Sequence, residues 1–151
     1  MSDSAAAHSP NGVATILEDR AGALAHYPHA RRAGGFIYVS GVSSRRPDNT
    51  HVGATINADG SVTKDIAAQT QAVIENIQHI LQRAGADLCH LVDITTFLVD
   101  MRDFAGYNAV YNRFFEQGTG PTRTTVAVHQ LPHPNLLIEM KAVALAPPSA
   151  R

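Results

Sequence analysis

Asp65-Ile66-Ala67-Ala68-Gln69-Thr70-Gln71-Ala72-Val73-Ile74-Glu75-Asn76-Ile77-Gln78-His79-Ile80-Leu81-Gln82-Arg83-Ala84 reads as one long amphipathic helix. Ile66, Thr70, Val73, Ile74, Ile77, Ile80, Leu81 and Ala84 recur at three- and four-residue spacing, which gathers them on one stripe facing a core. Thr63 stands where it caps the start, Asp65 complements the dipole there, and Gly85 ends the helix. Downstream, Leu91 to Val99 is rich in β-branched residues and reads as a strand. Asp100 then stands as the cap of a second helix, with Phe104, Asn108, Tyr111 and Phe115 along one side and Gly118 and Gly120-Pro121 stopping it. Upstream, Phe36-Ile37-Tyr38-Val39-Ser40 is a strong strand after the Gly34-Gly35 turn, and Ala14 to Glu18 forms a short edge strand. Val42 to Asp59 is polar and irregular, a loop around Pro47, Asp48 and Asn49. Two strands close the chain, Arg123 to His129 and Leu136 to Leu145, joined by a Pro-containing turn. The order strand, strand, helix, strand, helix, strand, strand predicts an α/β fold, a mixed β-sheet with two helices on one face.

The chain has 151 residues, the size of one domain. Met1 to Asn11 is small and polar, without a basic start followed by an apolar stretch. It reads as a flexible N-terminal tail rather than a signal peptide, with the domain over residues 12–147. Lys and Arg number 12 against 13 Asp and Glu, so no nucleic-acid or other polyanion partner is expected. Cys89 is the single cysteine, which excludes an intramolecular disulfide and fits a reducing compartment. No apolar run approaches the ~18 residues of a membrane helix. A cytoplasmic protein without a membrane partner is expected, with neither internal repeat nor second domain.

Candidate chemistry lies near the C-terminus. In Pro121-Thr122-Arg123-Thr124-Thr125-Val126-Ala127-Val128, strand alternation sends Arg123, Thr125 and Ala127 one way and Thr124, Val126 and Val128 the other. In Leu137-Ile138-Glu139-Met140-Lys141-Ala142-Val143-Ala144, Glu139 and Lys141 share a face. A guanidinium is a planar fork for a carboxylate, and a glutamate moves protons. Thr125, Ala127, Val143 and Leu145 are expected beside this charged pair on the sheet face that the helices leave uncovered. Apolar area there is worth ~25 cal/mol per Å² on burial, so self-association is expected.

Each candidate also has a plainer role open to it. Arg123 can be a strand-end arginine in solvent, and Glu139 can pair structurally with Lys141, a contact worth only ~0–1 kcal/mol at a surface. Asn108 can serve packing between helix and sheet, and Tyr27 can fill an interface. Among the eight histidines, His26-x-x-His29 and His129-x-x-x-His133 lack acidic or Cys partners at zinc spacing, so no metal site is expected. Phosphate loops, dinucleotide fingerprints and nucleophile elbows are absent. Arg31-Arg32 and Arg45-Arg46 are loop charges by default, and candidate cations for a second carboxylate if the substrate has one.

Ser40-Gly41, Asp65 to Thr70, Glu75-Asn76-Ile77, Ala84-Gly85-Ala86, Phe104 through Phe115, Pro121 to Val126 and Ile138 to Ala144, in this order, resemble the reactive-intermediate deaminase (Rid/YjgF) family. The likeness spans roughly Tyr27 to Leu145 and is greatest toward the 2-aminomuconate deaminases of aromatic catabolism. It implies a chorismate-mutase-like (bacillus type) fold and a homotrimer, possible pairing of trimers into hexamers, and active sites between subunits. It also implies cofactor-free hydrolysis of enamines and imines to a keto acid and ammonia. The family's carboxylate-binding arginine falls on Arg123 and its acid/base glutamate on Glu139. Its further substrate contacts fall on Asn108, Tyr27, Gly41 and Thr125.

The chain departs from the family's pattern at Ala25-His26 before the tyrosine, Pro28 after it, Val42 and Thr125. The 42–57 loop and the turn before Glu139 are both longer. The expected reaction is hydrolysis of 2-aminomuconate to 4-oxalocrotonate and ammonia. The alternatives are a general 2-aminoacrylate-type deaminase and a non-catalytic trimer that binds small carboxylates.

Overall fold

A computed structural model describes residues 5–148, with side chains described for residues 7–148. The long helix runs Ile66–Arg83 (α1) and buries Val73, Ile74, Ile77, Ile80 and Leu81, each worth roughly 1.5–3 kcal/mol relative to exposure. Its cap is Asp65 rather than Thr63: the Asp65 carboxylate accepts the Ala68 N–H at 3.2 Å. The Thr63 hydroxyl is already engaged, accepting the Asn57 amide at 2.9 Å.

The main sheet has seven strands: β1 Ala5–Ser9, β2 Gly12–Ile16, β3 Ala30–Ala33, β4 Phe36–Val42, β7 Leu91–Leu98, β8 Thr122–Ala127 and β9 Ile138–Leu145. Their spatial order is β1-β2-β3-β4-β9-β7-β8. β5 (Ala54–Ile56) and β6 (Val62–Lys64) form a separate hairpin at the end of the polar loop. The second helix, α2 (Phe104–Phe114), connects β7 to β8, the one parallel pair. Asp100 caps a short 3₁₀ turn over Met101–Asp103, accepting the Arg102 N–H at 2.8 Å, so α2 itself starts a turn later than expected. Both helices lie on one face, as the element order predicted, and this mixed α/β arrangement is chorismate-mutase-like. Between helices and sheet sit Ile37 and Val39 of β4, Ile94 and Leu98 of β7, and Ile138, Met140, Ala142 and Ala144 of β9, all buried.

Three expectations are corrected. The segment expected as an edge strand at Ala14 to Glu18 is β2, and it is paired on both sides, by β1 and β3. Part of the expected 1–11 tail is β1, in register with β2 from Ala5 opposite Ile16 to Ser9 opposite Gly12; residues 1–4 lie outside the described residues. Ala30-Arg31-Arg32-Ala33 is a strand despite having no β-branched or aromatic residue. Both additions are backbone-driven: ladder hydrogen bonds need no particular side chain, so composition conceals them.

One buried side chain organises the approach to β9. Gln69 is fully buried, and its amide donates to the carbonyls of Gly53 (3.1 Å) and Asn135 (2.8 Å) while its oxygen accepts the Leu137 N–H (2.8 Å). These bonds satisfy a buried polar group that would otherwise cost about 1–3 kcal/mol.

Candidate active site

Arg123 lies on β8, where the parallel register sets it beside Ile94 and sets Thr125 beside Thr96. Ile94 and Thr96 are fully buried beneath the helices, so Arg123 and Thr125 point to the helix face. The expectation that Thr125, Ala127 and Arg123 share the uncovered face with Glu139 is therefore overturned. The Arg123 guanidinium carbon stands 4.7 Å from the ring centre of Tyr111, 4.8 Å from Tyr107 and 5.8 Å from Phe104. Such contacts are worth about 0.5–2 kcal/mol each and fix the fork without neutralising it. Among the described residues Arg123 makes no ion pair. Asn108, Tyr111, Gly120 and Pro121 line the open cleft around it. The Tyr107 hydroxyl is 2.7 Å from the buried Thr96 hydroxyl and 3.5 Å from that of Thr125. Burial pushes the Tyr111 phenol up, and Tyr107 adds to this against the opposing charge of Arg123.

The aromatic cage went unread in the sequence because Tyr107 lies just off the Phe104, Asn108, Tyr111 series. The signal was present nonetheless: Phe104, Tyr107 and Tyr111 are spaced three and four apart, which places three rings on one helical side.

Glu139 lies on β9 opposite Phe97 of β7, between the buried Ile138 and Met140, and so points to the face without helices. Its carboxyl rests against Gly41: a Cβ at that position would stand 3.2 Å from Glu139 Cδ and Oε2 and 3.4 Å from Oε1. The β4–β9 register shifts between Val39 and Val42, and this irregularity turns the glycine toward the carboxyl. The structural pair with Lys141 is absent: among the described residues Glu139 has no ion-pair partner. Burial pushes its carboxyl above the usual carboxylate range. Tyr27, Pro28, Gly41, Pro132 and Lys141 line the cleft above it, with Arg31 at its border.

Tyr27 is held there by its neighbours. The His29 ring accepts the Leu17 N–H at Nδ1 (3.2 Å) and meets the Ala21 carbonyl with Nε2 (3.0 Å), and the Ser40 hydroxyl donates to the Pro28 carbonyl at 2.8 Å.

The six expected residues thus fall into two groups. Tyr27, Gly41 and Glu139 meet on the uncovered face, and Asn108, Arg123 and Thr125 meet on the helix side. Within one chain the two groups do not share a cleft. The uncovered face also exposes Phe36, Tyr38, Val126 and Leu145. Of the paired arginines, Arg31 reaches the Glu139 cleft and Arg45 a neighbouring pocket. Arg46 bonds Thr50 and Arg32 the Pro147 carbonyl. Among the described residues no group of three or more His, Cys, Asp or Glu is arranged to hold a metal. No described helix is long and apolar enough to cross a membrane.

Two helices packed on one face of a mixed sheet match the architecture of the YjgF/Rid structures. The family model described as Endoribonuclease L-PSP matches residues 17–146. The chain belongs to that family, which embraces the RutC and YjgF/Rid proteins. A RutC family protein of Pyrococcus abyssi is 40% identical over 118 residues, 78% of this chain and 84% of the relative. The structure of yeast Mmf1 superposes with a TM-score of 0.76 at 30% identity, covering 89% of this chain and 98% of that one. The YjgF gene product of E. coli gives 0.69 at 30% identity, covering 86% and 95%.

Proposed function

We propose that this chain hydrolyses enamine and imine carboxylates without a cofactor, in a cleft that a second copy completes. The observation that carries the proposal is the division of the chemistry. Among the described residues, a half-buried carboxyl without an ion-pair partner lies on one face, and an arginine without a carboxylate partner lies on the other. Each group lacks what the other supplies, and the apolar uncovered face favours association.

In this scheme the substrate carboxylate docks on the partner subunit's Arg123, beside that subunit's Asn108 and Thr125. Protonation at carbon with loss of an N–H proton turns the enamine into an imine. Glu139 takes a proton from water as the water oxygen bonds to the imine carbon, and passes it to nitrogen to give a carbinolamine. It then carries the hydroxyl proton to the same nitrogen as the C–N bond breaks and the C=O forms, which leaves a ketone and ammonia. A carboxyl raised by burial is suited to both steps near neutral pH. General acid–base assistance of about 10²–10⁴-fold suffices because imines already hydrolyse in water.

For the particular substrate we propose 2-aminomuconate, supported by the sequence resemblance and by Arg31 and Lys141 bordering the Glu139 cleft. Ammonia release is measured from enzymatically generated 2-aminomuconate and from imines made in situ by an amino-acid oxidase. Arg123→Ala should abolish saturable turnover, and Glu139→Gln should lower turnover by about 10²-fold or more while binding persists. Unaltered kinetics in both variants would end the proposal. Turnover of the oxidase-derived imines alone would reassign the substrate.

A further inference from the structure

Gly41 and Tyr27 border two spaces. One is the Glu139 cleft. The other, behind the 20–29 loop, is a smaller pocket of about 70 Å³ lined by Arg20, Arg45 and Asn76. Two guanidinium groups border it and no carboxylate does. The Arg45 side chain donates to the Asn49 side-chain oxygen at 2.7 Å and to the Gly22 carbonyl. These neutral oxygens orient its charge without cancelling it. Arg20 donates to the Asp19 carbonyl at 3.1 Å, and its Nε is buried without a partner. The Asp19 Oδ2 is taken by His79 at 3.1 Å and Arg83 at 3.2 Å, and, against burial, the neighbouring Arg20 charge also helps hold this carboxyl below its ordinary range. Asn76 braces the wall by donating to the Ser43 carbonyl at 3.0 Å.

The guanidinium groups of Arg20 and Arg45 border the pocket as charged donors, and an anion entering it accepts charge-assisted hydrogen bonds from them. The volume is several times the roughly 10–15 Å³ that one water needs, enough for a carboxylate.

We propose that this pocket receives a second carboxylate at the far end of the substrate, on Arg20 and Arg45, and so selects dicarboxylic enamines and imines over monocarboxylic ones. The assignment rests on reading the Glu139 cleft as the reaction site: a substrate held there extends past Gly41 and Tyr27 into the pocket.

Calorimetric titration of the full chain with glutarate and with butyrate tests it. Wild type should bind glutarate about 10-fold or more tightly than butyrate, and Arg20→Gln and Arg45→Gln should each erode that preference by about 10-fold. Equal affinity of wild type for the two acids overturns the proposal and needs no variant. A glutarate preference kept in both variants also overturns it, because Arg31 and Lys141 would then be the cations responsible. Binding is read without turnover. Glutarate selectivity that follows Arg20 and Arg45 in a protein releasing no ammonia would sink the deaminase scheme and leave the pocket assignment standing.

Discussion

Gly41→Ala separates the support of the carboxyl proposed as the acid/base group from the stability of the fold. The added methyl would stand 3.2 Å from Glu139 Cδ and Oε2, short of the roughly 3.5–4.0 Å at which carbon atoms pack best. The carboxyl is the end of a flexible side chain, so it yields by a few tenths of an ångström. A misplacement of about 1 Å costs roughly 10²-fold in rate, and this smaller one should cost about 5- to 10-fold in kcat. The backbone at Gly41 is not in the left-handed region, so alanine brings no strain there. Reduced unfolded-state freedom should stabilise by about 0.4–1 kcal/mol, a rise in Tm of about 1–4 °C at this chain length. The methyl also excludes water from a carboxyl that burial already pushes up. Because the ionised form is the base, raising its pKa moves the acidic limb of the kcat profile to higher pH. Ammonia release across a pH series and thermal melting read all three effects. Wild-type kcat with an unmoved acidic limb would refute the proposed role of Gly41 as the floor of the site, and a large fall in Tm would refute the claim that its backbone is unstrained.

Tyr107→Phe keeps a ring beneath Arg123 but leaves the buried Thr96 hydroxyl without its 2.7 Å partner. Stability should fall by about 1–3 kcal/mol with KM changed less than two-fold, checked by urea unfolding and kinetics. Leu145→Glu sets a charge on the uncovered face at a residue 50% exposed in the single chain. If the proposed association holds, light scattering should show an oligomer in the wild type and a monomer in the variant, with ammonia release lost alongside and circular dichroism unchanged; an active oligomeric variant would contradict the shared cleft.

The parts of this fold that side chains dictate were legible in the sequence. Six large apolar residues on α1 and the aromatic, β-branched run of β4 identify their elements because burial requires them. Arg123 and Glu139 stand out as charged residues within strands. Their opposite facing did not stand out, for a geometric reason. Alternation orders the residues within a strand but carries no phase between strands. That phase comes from β8 pairing in parallel with β7, which aligns Arg123 with Ile94, and from β9 pairing antiparallel, which aligns Glu139 with Phe97. β1 and β3 were hidden because their small and basic residues carry little strand preference, although Ala30 of β3 reaches the core.

The Gln69 clamp fastens the backbone at Asn135 and Leu137, immediately ahead of the strand that carries Glu139. The 131–134 excursion therefore ends on a fixed mooring, and Pro132, which lines the Glu139 cleft, belongs to it. Residues inserted or exchanged there would reshape the rim of the cleft while the carboxyl keeps its place, so under the proposed scheme substrate preference can drift with the length of one turn and leave Glu139 undisturbed.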